Sequence, residues 1–436
     1  MMTDTGGRSL VTLSAFARGL CAETAFDVLA VAQRLKAQGK DVVELQIGDS
    51  PFPSTGQAMA AGIRAIDSHA THYCPSLGLP AFREAVAARY RRELGVEVTA
   101  ANVVAGPGAK VFEQFFCEAF LDAGDAVLVF TPHFPTYGPN IERRGARAVY
   151  SRLRQENHFR PDLNDVEHFV RAVPRAKAIF LNSPHNPTGG VATAEDLRGL
   201  AELVRGRDIA VFSDEPYCHM VWEGRHHSPL EQPGMIEQTL AVYTFSKSYS
   251  MSGWRIGYAV GAPTLIDTIG KMINTSLSCV SPIAQWAGQA ALEGDAAERD
   301  ETMQRFRGKV RLLVDDLRRV DEVKVLMPAG SFYVFPDVSA ICRRLGIRSH
   351  GLAMYLLEGA DDRFGVACLG GECFGPAGQG FLRFSCAEAD DRLHQAVAFL
   401  AAAVQRQDRV ERFLAENPKY RLGESDAGGG GFQAVT

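Results

Sequence analysis

Short, continuous apolar runs alternate with amphipathic helical stretches through the middle of this chain, and that alternation constrains its fold more than any other feature. NVVAGPG leads into the helical pattern AKVFEQFFCEAFL, and DAVLVFTP and ARAVYSRL precede a second one at LNDVEHFVRAV. AKAIFLNSP precedes TAEDLRGLAELVRGR, where Thr193 is placed as an N-cap. IAVFSDEPY, TLAVYTFS and WRIGYAVG bring the strand-like runs to seven. Runs that are apolar at every position, not at alternate ones, belong to strands covered on both faces, and strands joined through helices run parallel. The expected class is α/β, with a large domain built on a mostly parallel seven-stranded sheet between helices.

On either side the pattern changes. TAFDVLAVAQRLKAQGK reads as a helix stopped at Gly39, DVVELQIGD as a short strand, and PAFREAVAARYRREL as an amphipathic helix. After TLIDTIGKMINT helical periodicity continues through RGKVRLLVDDLRRV. GSFYVFPDV, HGLAMYLLEG, GVACLGG, GFLRFSCA and RLHQAVAFLAAAVQRQ then suggest a smaller α+β domain, built with the N-terminal segment. The expected divisions are an N-terminal segment (1–56) packed on the small domain, a large domain (57–310), the small domain (311–408) and a flexible C-terminal tail (409–436) ending in GESDAGGGGFQAVT. A length of 436 residues suits two domains.

Charge excludes some functions. The formal net charge is −5 and there is no basic run, so neither nucleic acid nor a membrane surface is an expected partner. No apolar run is long enough to span a bilayer, and MMTDTGGRSLVTLSAFARGL lacks a basic segment followed by a long apolar one. Nine scattered cysteines suit reduced thiols in a cytoplasmic enzyme, and CLGGEC has no second ligand pair that would complete a metal site.

Polar punctuation clusters at the carboxyl ends of the expected strands, the edge where open parallel sheets bind ligands. In VVAGPGAK, the backbone N–H groups of Gly108, Ala109 and Lys110 open a helix and suit a phosphate, although an ordinary strand-to-helix turn reads the same way. LNSPHNPTGG holds Asn186 in a stiff loop. Asp214 in VFSDEPY leaves a buried strand and needs a partner, whether a protonated ring nitrogen, an arginine or a helix end, and Tyr217 follows as a phenol donor. In TFSKSYSMSGWRIGYAVG, Lys247 is an amine suited to carbonyl chemistry, and Thr244 and Arg255 suit a phosphate.

Together SPHNPTGG, SDEPY, SKSYSMSGWRIGY and FLRFS resemble the fold type I, class I/II aminotransferases of the aspartate aminotransferase family, over roughly Leu45 to Leu400. The resemblance implies pyridoxal 5′-phosphate carried on Lys247, with Asp214 on the ring nitrogen and Tyr217 and Asn186 on the phenolic oxygen. It implies Phe134 stacked on the ring and Gly108, Ala109, Lys110, Thr244 and Arg255 around the phosphate. Tyr73 matches a tyrosine that reaches the neighbouring subunit's phosphate, which implies a homodimer with a composite site. Gly48 and Arg383 match the groups that hold the substrate α-carboxylate, and Lys110 matches, in one subgroup, a lysine on the distal carboxylate of aspartate or glutamate. Cis bonds are expected at Thr131–Pro132 and Asn186–Pro187. The implied activity is transamination between an L-amino acid and a 2-oxo acid. A β-lyase, a decarboxylase or an amino-acid oxidase on the same fold would use the same residues. A non-catalytic ligand sensor would need a DNA-binding segment, and none is visible ahead of Leu45.

Overall fold

In the computed structural model, which describes residues 11–20 and 23–423, two sheet systems divide the chain. The first strand, β1 (Asp41–Glu44), lies outside the large sheet. That sheet takes β2 (Val103–Gly106), β3 (Ala126–Thr131), β4 (Arg147–Arg152), β5 (Ala176–Asn182), β6 (Ala210–Asp214), β7 (Thr239–Thr244) and β8 (Gly257–Val260). Their order is β2-β8-β7-β6-β5-β3-β4. β4, β3, β5, β6 and β7 are parallel, and β8 runs antiparallel to both neighbours. β2, β3, β6 and β7 are buried along their whole length, as their unbroken apolar runs require, while β4 closes the edge with a partly exposed face. Because β8 reverses, the carboxyl ends of β2, β3, β5, β6 and β7 share one edge, at Gly106, Thr131, Asn182, Asp214 and Thr244.

The small domain pairs β1 in parallel with β10 (Phe364–Ala367), and sets β12 (Leu382–Ser385) between β9 (Tyr333–Val334) and β11 (Leu369–Gly370). Its core takes Val28 and Ala32 from the helix Thr24–Ala37 and Val42, Val43 and Leu45 from the strand that follows, so the N-terminal segment does pack here. The turn between them uses Gly39 at φ +91°. Thr193 caps the helix Ala194–Val204 by accepting from the Asp196 N–H at 3.2 Å.

Two expected divisions move. Position 310 falls inside one continuous helix, Ala297–Leu317, whose Met303 and Phe306 already lie in the small-domain core with Val310, Leu313 and Leu317. The tail begins later than 409, because Gln407–Glu416 is a helix that buries Val410, Phe413 and Leu414. Those residues stand at helical spacing within a polar stretch, so composition alone read the segment as tail. Residues 424–436 lie outside the described residues, as do 1–10 at the start of the first segment. Among the described residues no helix is long and apolar enough to cross a membrane.

Candidate active site

The shared carboxyl edge of the large sheet faces the small domain, and most of the expected residues, Tyr73 excepted, lie along it or reach it from the small domain. At the end of β2 the chain turns through Gly108, at φ +91°, into the helix Lys110–Phe120. A Cβ on Gly108 would lie 2.7 Å from Arg255 Nη2, so glycine lets the guanidinium approach the backbone. Arg255 donates from Nη2 to the Pro107 carbonyl at 2.8 Å and from Nη1 to the Ser252 carbonyl at 2.9 Å. The helix start carries no side-chain cap; the expected Gly108 N–H is engaged by the Gly106 carbonyl at 2.8 Å and the Phe112 N–H by the Ala109 carbonyl at 3.0 Å, which leaves the Ala109 and Lys110 N–H groups at the helix start for an anion. Thr244, at the end of β7, shares a 2.8 Å hydrogen bond with the Ser246 hydroxyl.

Lys247 follows directly. Its ammonium donates to the Gly48 carbonyl at 2.6 Å and lies 6.0 Å and 5.8 Å from the ring centres of Tyr217 and Phe332. That contact ties the N-terminal segment to the large domain, as do Ser50 and Ser54, which bond the Ser250 hydroxyl at 2.6 Å and the Ser250 carbonyl at 2.8 Å. Gly48 is tightly confined, since any side chain there would run into the Tyr333 hydroxyl.

Asp214 ends β6, buried. Burial pushes its carboxyl up to about 6, against the opposing pull of a 2.6 Å hydrogen bond from the Tyr137 hydroxyl. The Asp214 backbone carbonyl accepts from Asn182 Nδ2 at 2.8 Å, while Asn182 Oδ1 accepts from the Asn186 N–H at 2.8 Å. One amide thus registers the ends of β5 and β6 against the loop that carries Asn186. Thr131–Pro132 and Asn186–Pro187 are cis, as expected, and Ser183–Pro184 is cis as well.

Arg383 reaches the cleft from β12. Its guanidinium donates from Nη1 to Asn186 Oδ1 at 3.2 Å and from Nη2 to the Gln46 carbonyl. The rings of Tyr333 and Phe374 stand 4.4 Å and 4.9 Å from it. It is 4% exposed, its Nε has no partner, and among the described residues no carboxylate pairs with it. A buried cation without an anion is costly to the fold. Tyr217 meets Tyr333 hydroxyl to hydroxyl at 3.3 Å.

Three expected residues have more particular settings. Phe134 packs edge-on to Tyr137 at 5.9 Å. Lys110 lies 5.2 Å from the Phe134 ring centre and forms an ion pair with Glu23, a partner with no signal in the sequence. Tyr73 stands apart, 87% exposed. Sequence reasoning also missed Tyr137, Tyr333, Ser246 and a buried Glu113. TPHFPTY drew attention only to its phenylalanine, Ser246 lies in a stretch read for Thr244, Lys247 and Arg255, and Tyr333 and Glu113 sit in stretches read only as strand and helix.

The chain matches the family described as aminotransferase class I and II over residues 40–400. It is 35% identical over 382 residues to a probable aspartate/prephenate aminotransferase of Aquifex aeolicus, covering 87% of this chain and 95% of that protein. It is 32% identical over 364 residues to the arginine–pyruvate transaminase AruH of Pseudomonas aeruginosa, covering 84% of this chain and 90% of that one. The aspartate aminotransferase of Thermus thermophilus with maleate superposes with a TM-score of 0.84 at 33% identity, covering 90% of this chain and all of that one. A cleft of this construction, on a chain so matched along nearly its whole length, makes the protein a transaminase: it belongs to the class I and II aminotransferases.

Proposed function

We propose that the chain uses pyridoxal 5′-phosphate held on Lys247 to move the α-amino group of an L-amino acid to a 2-oxo acid such as 2-oxoglutarate. The observation that carries this reading is the buried, anion-free Arg383 across the cleft from Lys247, because an α-carboxylate completes the guanidinium. The residues also suit the cofactor. The buried Asp214 calls for a cationic N–H, and the open helix start with Arg255 calls for a phosphate. Bound pyridoxal 5′-phosphate supplies an electron sink for the pair left at Cα when its proton departs. Asp214, backed by Tyr137, holds the ring nitrogen protonated, and Tyr217 and Asn186 serve the phenolic oxygen. Arg383 and Gly48 orient the α-carboxylate, and the Lys247 amine takes up the Cα proton. The test is a panel of amino donors assayed for transfer to 2-oxoglutarate, with borohydride fixation of the cofactor on Lys247. Loss of CO2 or ammonia without amino transfer would replace this reading with a decarboxylase or lyase.

Relatives named for aspartate and for arginine leave the donor to this chain's own residues. We place aspartate, glutamate or an aromatic amino acid first, with Lys110 meeting a distal carboxylate in place of Glu23. Lys110→Ala is expected to lower kcat/KM for aspartate or glutamate about ten- to a hundredfold, with a smaller loss for phenylalanine. Glu23→Gln, which removes the internal competitor, shifts preference the other way. An equal loss for all donors would assign Lys110 to the cofactor alone.

The working unit in this reading is a homodimer. Tyr73 is free to reach a partner, and Met59, Ile63 and Ile66 line one face of the helix Gly56–Asp67 exposed, near an exposed Trp286. Sedimentation should give a dimer, and Tyr73→Phe should loosen the cofactor about tenfold through one lost hydrogen bond to a charged group. A fully active monomer would overturn the composite site.

A further inference from the structure

The helix that opens at the proposed phosphate cradle carries a carboxyl with no part in the chemistry described so far. Glu113 lies one turn beyond Lys110 and is 2% exposed. Its Oε2 accepts from Thr136 Oγ1 at 2.5 Å and from Asn140 Nδ2 at 3.2 Å. Asn140 Nδ2 also donates to the Thr136 carbonyl at 3.0 Å. Thr136 and Asn140 bracket the start of a short helix, Tyr137–Glu142, whose first residue donates its hydroxyl to Asp214. A helix of this length has little stability of its own, so its position depends on such tertiary ties.

Burying a carboxyl in this place is unfavourable unless its bonds accomplish something. On an apolar helix face formed by Phe112, Phe115 and Phe116, a leucine would fill the space without that penalty. The groups facing Glu113 are Thr136 and Asn140 from the short helix, Asp214 from β6, Lys110 on its own helix and Glu23 from the N-terminal segment. Burial, with Asp214 nearby, pushes its carboxyl up to about 8, and the Thr136 hydrogen bond works against that rise.

We propose that Glu113 is a positioning residue that clamps the Thr136–Asn140 turn to the cradle helix and so keeps the Tyr137 hydroxyl on Asp214. The clamp links the phosphate side of the site to the ring-nitrogen side through the protein. It rests on the reading that Asp214 serves a cofactor ring nitrogen.

The experiment measures the apparent dissociation constant of pyridoxal 5′-phosphate by titrating apoenzyme, for the wild type and for Glu113→Leu, Glu113→Gln and Tyr137→Phe. Glu113→Leu should weaken affinity about tenfold, the loss expected when the two hydrogen bonds accepted by the Glu113 carboxyl are removed together. Glu113→Gln should stay within about threefold, since an amide oxygen still accepts from both donors. In a Tyr137→Phe background, Glu113→Leu should add less than about twofold, because the route to Asp214 is already cut. Thr136→Val removes a donor from the other side and should reproduce the Leu result, which keeps the test open if that variant does not fold. Wild-type affinity in Glu113→Leu or Thr136→Val, a Gln variant as weak as Leu, or losses that multiply with Tyr137→Phe would each overturn the clamp. Borohydride fixation on wild-type Lys247 reports separately on the cofactor reading: a label elsewhere removes that reading, while a label on Lys247 with unchanged Glu113 variants removes the clamp alone.

Discussion

Lys247→Ala is expected to lower amino transfer by about a hundred- to ten-thousandfold, the range for loss of a positioned general base. Apart from its tie to the N-terminal segment through Gly48, the structure gives this amine no other bonded role. It makes no ion pair among the described residues, and its hydrogen bond goes to a backbone carbonyl, Gly48, that any freely moving ammonium could exchange. A neutral hydroxyl such as that of the adjacent Ser248, which has no hydrogen-bond partner among the described residues, is too weak a base to stand in for it. The Ser246 hydroxyl is tied to Thr244 and the Ser250 hydroxyl to Ser50. Cofactor affinity should fall much less, because Arg255, the open helix start and Asp214 are untouched. The measurement is a single-turnover assay with excess donor, run beside borohydride labelling. The variant should bind pyridoxal 5′-phosphate but give no fixed label. Turnover near the wild-type rate, with label on a different lysine, would show that Lys247 was wrongly assigned.

What was legible in the chain divides by physical cause. Strands covered on both faces announce themselves, because burial on two sides leaves no polar position to break the run; the runs that became β3, β6 and β7 are buried throughout. Asp214, Asn186 and Lys247 were legible because polar residues at strand ends stand out against such runs, and because the motifs around them are specific. Tyr137 was not, since its partner Asp214 is 77 positions away and nothing local distinguishes its hydroxyl from that of a core tyrosine. Nothing local set Glu113 apart within its helix; only the fold brings it to Thr136 and Asn140. The same holds for Glu23, whose ion pair with Lys110 spans 87 positions. The helix Gln407–Glu416 buries only Val410, Phe413 and Leu414, too sparse a pattern to outweigh polar composition. Apart from that helix, hidden by its own composition, what the chain concealed are side-chain partners distant in sequence.

The second large effect concerns Arg383. Arg383→Leu should lower kcat/KM for every α-amino acid donor by about a hundred- to ten-thousandfold, because two hydrogen bonds to a charged group are lost at about 1.5–3 kcal/mol each. The uniformity across donors is the informative part. The guanidinium is fixed between Tyr333 and Phe374 and bonded to Asn186 and the Gln46 carbonyl, and in the proposed reading it meets the α-carboxylate, the group common to all donors. Lysine should not restore activity, since a single ammonium cannot reproduce the planar fork. Cofactor affinity should stay within a few fold, as Arg383 contacts none of the residues of the phosphate cradle. The apoenzyme should also gain thermal stability in Arg383→Leu, because a buried cation without an anion is a liability to the fold that an apolar residue removes. A loss confined to aspartate and glutamate would move Arg383 to the distal carboxylate, and lower thermal stability with unchanged kinetics would make it a structural arginine.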